Sequence, residues 1–164
     1  MKTKIFCDIA EIDIIKKFNK KKLVKGFTTN PSLMRKAGAK NYKTYSQKIL
    51  KICNNKPVSL EVFGDNYKDM KKQALKINTW GKNVYVKVPV TNSKGVFMGK
   101  IIKELNAQKI KLNITAIYSA KQTSKILKFF CHCYTFFKFW NRILTSITRS
   151  TCKYRNYYFC FFIN

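Results

Sequence analysis

Apolar and polar positions along most of the chain follow two periods that take turns. Short runs rich in Val, Ile and Phe are each followed by stretches whose apolar residues recur every three or four positions, the signatures of strand and amphipathic helix. "KIFCDIA" (4–10) predicts a strand, and Ile12, Ile14, Ile15 and Phe18 of "EIDIIKKFNKKK" form a mainly helical stripe. "LVKGFTTN" (23–30) is a second strand. Pro31 then opens a helix after Asn30, since a first-turn residue has no intrahelical use for the N–H that proline lacks. "YKTYSQKILKIC" continues helically to a third strand, "PVSLEVF" (57–63). Helical "NYKDMKKQALKIN" precedes the strand "NVYVKVPV", helical "GVFMGKIIKELNAQ" precedes "IKLNITAI" (110–117), and "SAKQTSKIL" begins one more helix.

Repeated β-then-α units with Val- and Ile-rich strands imply a parallel sheet buried on both faces by helices. A doubly wound sheet would usually carry a glycine-rich phosphate turn after its first strand, and "FCDIAEIDI" has no glycine. Polar residues instead recur within or at the C-terminal ends of the strands: Asp8, Asn30, Glu61, Lys87, Asn113 and Thr115. In a closed β/α barrel such strand ends converge on one face. The expected fold is therefore α/β, a partial (β/α)8 barrel of the TIM type in which residues 1–127 supply about the first five β/α units.

The stretch "VYVKVPVT" (84–91) puts a lysine inside an otherwise apolar strand. Alternation sets Val84, Val86, Val88 and Val90 on one face and Tyr85, Lys87 and Pro89 on the other. On a sheet with one wet face Lys87 would point into water; a barrel buried on both faces removes that explanation. Burial disfavours the charged form of an amine, and a free amine attacks carbonyls to form a Schiff base. Asp8 and Glu61, on two other strands, are candidates for general acid and base. Asn113 and Thr115 flank Ile114, so both can face the interior and hold a water or substrate hydroxyls, and Asn30 can do likewise. One strand-end Asn or Asp is more often a cap or turn residue; the recurrence on successive strands is what makes the set informative.

"FCDIA", "GFTTNPSL", "VSLEVF", "VYVKVPVT" and "LNITAIYSAKQ" resemble, in order and spacing, successive motifs of the transaldolase family, class I Schiff-base enzymes on a β/α barrel. The resemblance covers roughly residues 4–127. It implies Lys87 as the amine that attacks a ketose phosphate, Asp8 as the acid/base at the cleaved carbon–carbon bond, and Glu61 with Thr115 as the pair managing a catalytic water. It further implies Asn30 and Asn113, with Thr28 and Ser32 of the same motifs, as substrate-binding groups. No metal or other cofactor is expected, because the protonated imine is itself the electron sink. The related fructose-6-phosphate aldolases commonly carry glutamine where this chain has Glu61, which favours group transfer over simple aldol cleavage. Intact relatives are expected to be homo-oligomeric, and the place of action to be the cytoplasm, in pentose phosphate metabolism.

Charge adds little to this picture. The 34 Lys+Arg against 7 Asp+Glu give a net +27, which would favour nucleic acid or anionic lipid. The basic residues are scattered, mostly at helical spacing opposite apolar positions, as solvated faces are. Sugar phosphates are anions too, so nucleic acid is not expected as the main partner. No uncharged run is long enough for a transmembrane helix, the opening "MKTKIFCDIAEIDIIKK" has no secretory apolar segment, and six irregularly spaced cysteines suggest reduced thiols.

Composition changes after residue 127. The 37 residues from Lys128 to Asn164 contain no Gly, Ala, Val, Asp or Glu, although those types supply 28 of the first 127, and they hold 13 of the 24 aromatics. All five missing types are encoded by codons beginning with G. The segment 128–164 is therefore expected to be an out-of-frame or non-native tail after a reading-frame slip near residues 125–135. A genuine aromatic, basic segment for single-stranded nucleic acid or a membrane surface is the competing view. "CHC" (131–133) with Cys152 and Cys160 makes no recognisable zinc set, and Arg142 in "FFKFWNRILTS" lacks the glycine and strand context of the family's phosphate-binding arginine. A barrel without its last strands would have open edges, so the chain as written is expected to be unstable or inactive.

Overall fold

The computed structural model describes residues 4–128, together with the backbone of 135–139 and 157–163. The elements run β1 (Lys4–Asp8), α1 (Ile12–Asn19), β2 (Val24–Thr28), α2 (Pro31–Lys36), α3 (Tyr42–Ile52), β3 (Val58–Glu61) and α4 (Tyr67–Asn78). They continue with β4 (Val84–Pro89), α5 (Gly99–Ala107), β5 (Leu112–Ile117), α6 (Ala120–Leu127), β6 (Thr135–Phe139) and β7 (Tyr157–Ile163). The strands pair in parallel in chain order, as right-handed β/α units require. All five β/α units read from the periodicity are present.

Among the described residues the anticipated open edges are not found. The outer edge of β5 pairs with β6, and β7 pairs with both β6 and β1, so the sheet closes. The "CHC" stretch, Arg142 and Cys152 lie outside the described residues.

Element ends follow local chemistry. The helical stretch after Pro31 is two helices, because Gly38 adopts a left-handed φ of +84° and Asn41 then caps α3 by accepting from the Thr44 N–H. The helix expected from Gly95 begins only at Gly99, since Thr91 and Phe97 form an antiparallel bridge closed by a turn in which the Gly95 N–H donates to the Asn92 carbonyl oxygen. At α6, Ser119 and Gln122 form a reciprocal capping box.

The apolar core lies between the outer face of the strands and the helices. Val84, Val86 and Val88 of β4 are buried in one cluster with Met70, Ala74 and Ile77 of α4 and Ile101, Ile102 and Leu105 of α5. At the N-terminal end of the barrel, Phe6 on β1 stands opposite Gly26 on β2. A Cβ at Gly26 would overlap Phe6 Cε1 and lie 2.7 Å from the Pro57 carbonyl oxygen, so only glycine leaves room for the ring.

Candidate active site

The valine row fixes the parity of β4. With Val84, Val86 and Val88 under the helices, Lys87 must point to the other side, and a one-residue slip would exchange the two sets. Lys87 is thereby carried into the barrel, opposite Glu61 on β3 and Asn113 on β5. One step towards the N-terminal end, Ser59 stands opposite Thr28, which in turn stands opposite Asp8. One step towards the C-terminal end, Thr115 stands opposite Pro89.

The Lys87 ammonium donates to Glu61 Oε2 at 3.0 Å and lies 3.4 Å from the Thr29 carbonyl oxygen. The Lys87 side chain is only 4% exposed and that of Glu61 21%, so the carboxylate forms the wetter side of the pair. Asn113 Nδ2 donates to Ser59 Oγ at 3.0 Å, and both residues are buried. Among the described residues, Asn113 Oδ1 and Thr28 Oγ1 are buried without a hydrogen-bond partner. Unmatched polar groups of this kind are costly in an interior, and a bound ligand or water is one way to complete them.

Of the residues singled out from sequence, the structure thus gathers Lys87, Glu61 and Asn113 in one layer, with Thr28 and Thr115 buried on the adjacent layers. Asp8 is half-buried at the end of β1. Asn30 is the N-cap of α2: its Oδ1 accepts from the Leu33 N–H at 2.8 Å, so its carbonyl end is already committed. Ser32, on the first turn of α2, is exposed.

Four contributors were missed by reading the sequence. Ser59 had a signal, because in "VSLEVF" it alternates onto the same face as Glu61. Thr29 acts through its carbonyl, which no side-chain pattern reveals. Tyr42, from α3, donates its hydroxyl to the Glu61 carbonyl oxygen at 2.9 Å and packs edge-on against Phe63 and Trp80. Burial, then the nearby Glu61 charge, pushes the Tyr42 hydroxyl well above its ordinary pKa, so it stays a donor. Asp65 accepts from the Ser93 N–H at 2.8 Å and from the Ser93 hydroxyl at 2.6 Å, tying the loop after β3 to the loop after β4. Those two hydrogen bonds hold its carboxyl below the usual range.

Positive φ values at non-glycine positions occur, among the described residues, at Lys109 and at Ala116 (φ 59°). Ala116 follows Thr115 at the point where the β5–β6 register shifts between Ile114 and Ile117. This bulge interrupts the alternation of faces between Thr115 and Ile117, both of which are buried. A cleft of about 300 Å³ lined by Tyr42, Phe63, Lys76 and Trp80 lies outside the barrel, between α3 and α4. Among the described residues, no group of three His, Cys, Asp or Glu could hold a metal ion, and no helix is long and apolar enough to cross a membrane.

The sequence pattern of the family described as Transaldolase/Fructose-6-phosphate aldolase matches residues 5–158. Proteins described as probable transaldolases are similar to this chain. One from Clostridium kluyveri is 39% identical over 119 residues, covering 73% of this chain and 53% of that protein. One from Dehalococcoides mccartyi is 38% identical over 119 residues with the same coverage. One from Methanococcus maripaludis is 40% identical over 121 residues, again 73% of this chain and 53% of the relative. The chain spans about half the length of the curated relatives it matches.

Proposed function

The chain belongs to the transaldolase/fructose-6-phosphate aldolase family, and on that premise we propose that its site moves a dihydroxyacetone unit between sugar phosphates through a Schiff base on Lys87. The observation that carries this reading is one amine buried inside the barrel, 3.0 Å from one carboxylate, with an amide across the next strand.

Glu61 takes a proton from the Lys87 ammonium, and the free amine adds to the ketone carbon of a ketose phosphate. The tetrahedral adduct loses its oxygen as water after Glu61, working with Thr115 through a water molecule, returns the proton. The product is a protonated imine. Asp8 then removes the proton from the hydroxyl on carbon 4, the bond between carbons 3 and 4 breaks, and its electron pair flows into the iminium to leave an enamine. An aldose phosphate departs. A second aldose phosphate adds by the reverse steps, and water releases the new ketose phosphate. Asn113 and Thr28, with the amide nitrogen of Asn30, orient the hydroxyls of the bound unit; exposed Ser32 takes part only at the mouth. On this reading the reaction belongs to cytoplasmic pentose phosphate metabolism, no cofactor enters it, and intact relatives work as homo-oligomers.

Borohydride reduction in the presence of fructose 6-phosphate should add a reduced three-carbon unit to the peptide containing Lys87, and Lys87→Met should abolish it. A wild-type chain that traps nothing sinks this reading. Aldolase-type cleavage is the second reading: it releases free dihydroxyacetone without an acceptor aldose, whereas the carboxylate at position 61 favours transfer. A nucleic-acid module built on the scattered lysines would bind with a steep salt dependence and trap no imine.

We further propose that residues 128–164 are translated out of frame, which would leave the chain as written impaired in completing transfer, while residues 4–128 still carry the Lys87 layer that traps the imine. Strand pairing uses backbone groups, so the β-prone Tyr, Phe and Ile of β7 can enter a ladder whatever their origin. Resequencing the gene across codons 125–135 tests this. An intact frame, with peptides from "NYYFCFF" in cells, overturns it.

A further inference from the structure

Ser59 stands outside the proposed chemistry, yet it holds the residue facing Lys87. We infer that Ser59 is a positioning residue: it fixes which end of the Asn113 amide faces the reaction, so that Asn113 serves as a hydrogen-bond acceptor. The inference rests on the Schiff-base reading for its catalytic consequence, but its geometric half stands apart from it.

Ser59 and Asn113 are each 2% exposed, and their bond is 3.0 Å long. It is diagonal. Asn113 stands opposite Lys87, whereas Ser59 stands opposite Tyr85, two residues closer to the N-terminal end of the barrel. Nδ2 is therefore drawn down the barrel towards Ser59, and Oδ1, the branch without a partner among the described residues, is left on the Lys87 layer. A serine hydroxyl can donate or accept, so the bond alone would tolerate either amide orientation. The cation on the same layer favours one of them: the reverse orientation would leave the NH2 group rather than Oδ1 free on the side of the Lys87 ammonium, whose own hydrogen bonds go to Glu61 Oε2 and the Thr29 carbonyl.

An amide so fixed discriminates by polarity. Its oxygen accepts from an N–H or O–H, which an iminium on Lys87 or a hydroxyl of the bound unit supplies, and repels a carbonyl or ether oxygen at the same place. Without Ser59 the amide rotates, and its nitrogen can face the reaction as a competing donor.

The test uses the full chain labelled with 15N, in which the Asn113 side-chain amide signals are identified by their loss in Asn113→Asp. Ser59→Ala should shift that pair and speed its exchange with water, and Ser59→Thr, which keeps the hydroxyl, should not. In borohydride trapping, Ser59→Ala should raise the half-saturating fructose 6-phosphate concentration about fivefold to tenfold, the scale of one lost oriented hydrogen bond. Ser59→Ala combined with Asn113→Ala should be no worse than Asn113→Ala alone. If Ser59→Ala does not fold, Ser59→Cys, similar in size with a weakly bonding thiol, gives the same readouts. Amide signals that Ser59→Ala leaves unmoved, or losses that add in the double variant, overturn the inference. A wild-type chain that traps nothing defeats the Schiff-base reading instead, and the amide signals still decide the role of Ser59.

Discussion

Replacing Glu61 by Gln keeps the shape of the side chain and removes its charge, which isolates the electrostatics of the buried pair. At the 3.0 Å separation of Lys87 Nζ and Glu61 Oε2, the gross attraction is about 5.5 kcal/mol for an effective dielectric constant near 20. Removing one partner of a buried pair costs roughly 3–5 kcal/mol, because an ammonium is left without its counter-charge. Here the lysine is 4% exposed but the carboxylate 21%, so water screens part of the loss and about 2–4 kcal/mol is expected. The Glu61→Gln, Lys87→Met double variant should behave oppositely. It removes both charges, and neutral replacement of a buried pair is often neutral or stabilising, so its stability should return to within about 1 kcal/mol of wild type. Urea unfolding at pH 7 reads all three, provided the m-values agree. A Glu61→Gln variant within about 0.5 kcal/mol of wild type, or a double variant no more stable than that single one, would mean that Lys87 is solvated, and the proposed site would lose its physical basis.

Gly26→Ala should destabilise by about 1–3 kcal/mol, since its Cβ meets the Phe6 ring and a fixed carbonyl; adding Phe6→Leu should recover only part, because the Pro57 carbonyl remains, and full recovery would show the ring to be the sole obstacle. Ala116→Gly should raise the unfolding free energy by up to about 1 kcal/mol by relieving a left-handed alanine; a loss of stability would show the bulge to be unstrained. Cys53, buried at the end of α3, has its thiol pKa pushed up from 9.0 to about 12 by burial. The unfolded chain therefore loses that proton first as pH rises through 9, and stability should fall by at most about 1.4 kcal/mol per pH unit between pH 9 and 12. Thermal melts over that range should show a shallower decline in Cys53→Ala, and parallel curves would contradict the assignment.

The alternation of strand and helix periods determined the five β/α units, because each segment carries its own burial pattern and each turn its own punctuation. The resemblance of five short motifs then pointed to Lys87, Glu61 and Asn113, residues whose types are anomalous for a buried strand and so visible one strand at a time. Contacts that depend on two distant segments were not legible. The Tyr42 hydroxyl meets the Glu61 carbonyl 19 residues away, and the Asp65 clamp reaches 28 residues to Ser93. Asn30 is the instructive case: a strand-end asparagine reads alike as ligand and as cap, and only the position of the Leu33 N–H commits its oxygen to the helix. The polarity of Asn113 is likewise absent from the sequence, since it depends on a serine of β3 lying one layer below a lysine of β4. Periodicity therefore specifies which side of a strand a residue occupies. Only closure of the sheet into a barrel decides which of those inward residues meet, because that is set by register and curvature across strands that the chain visits in turn.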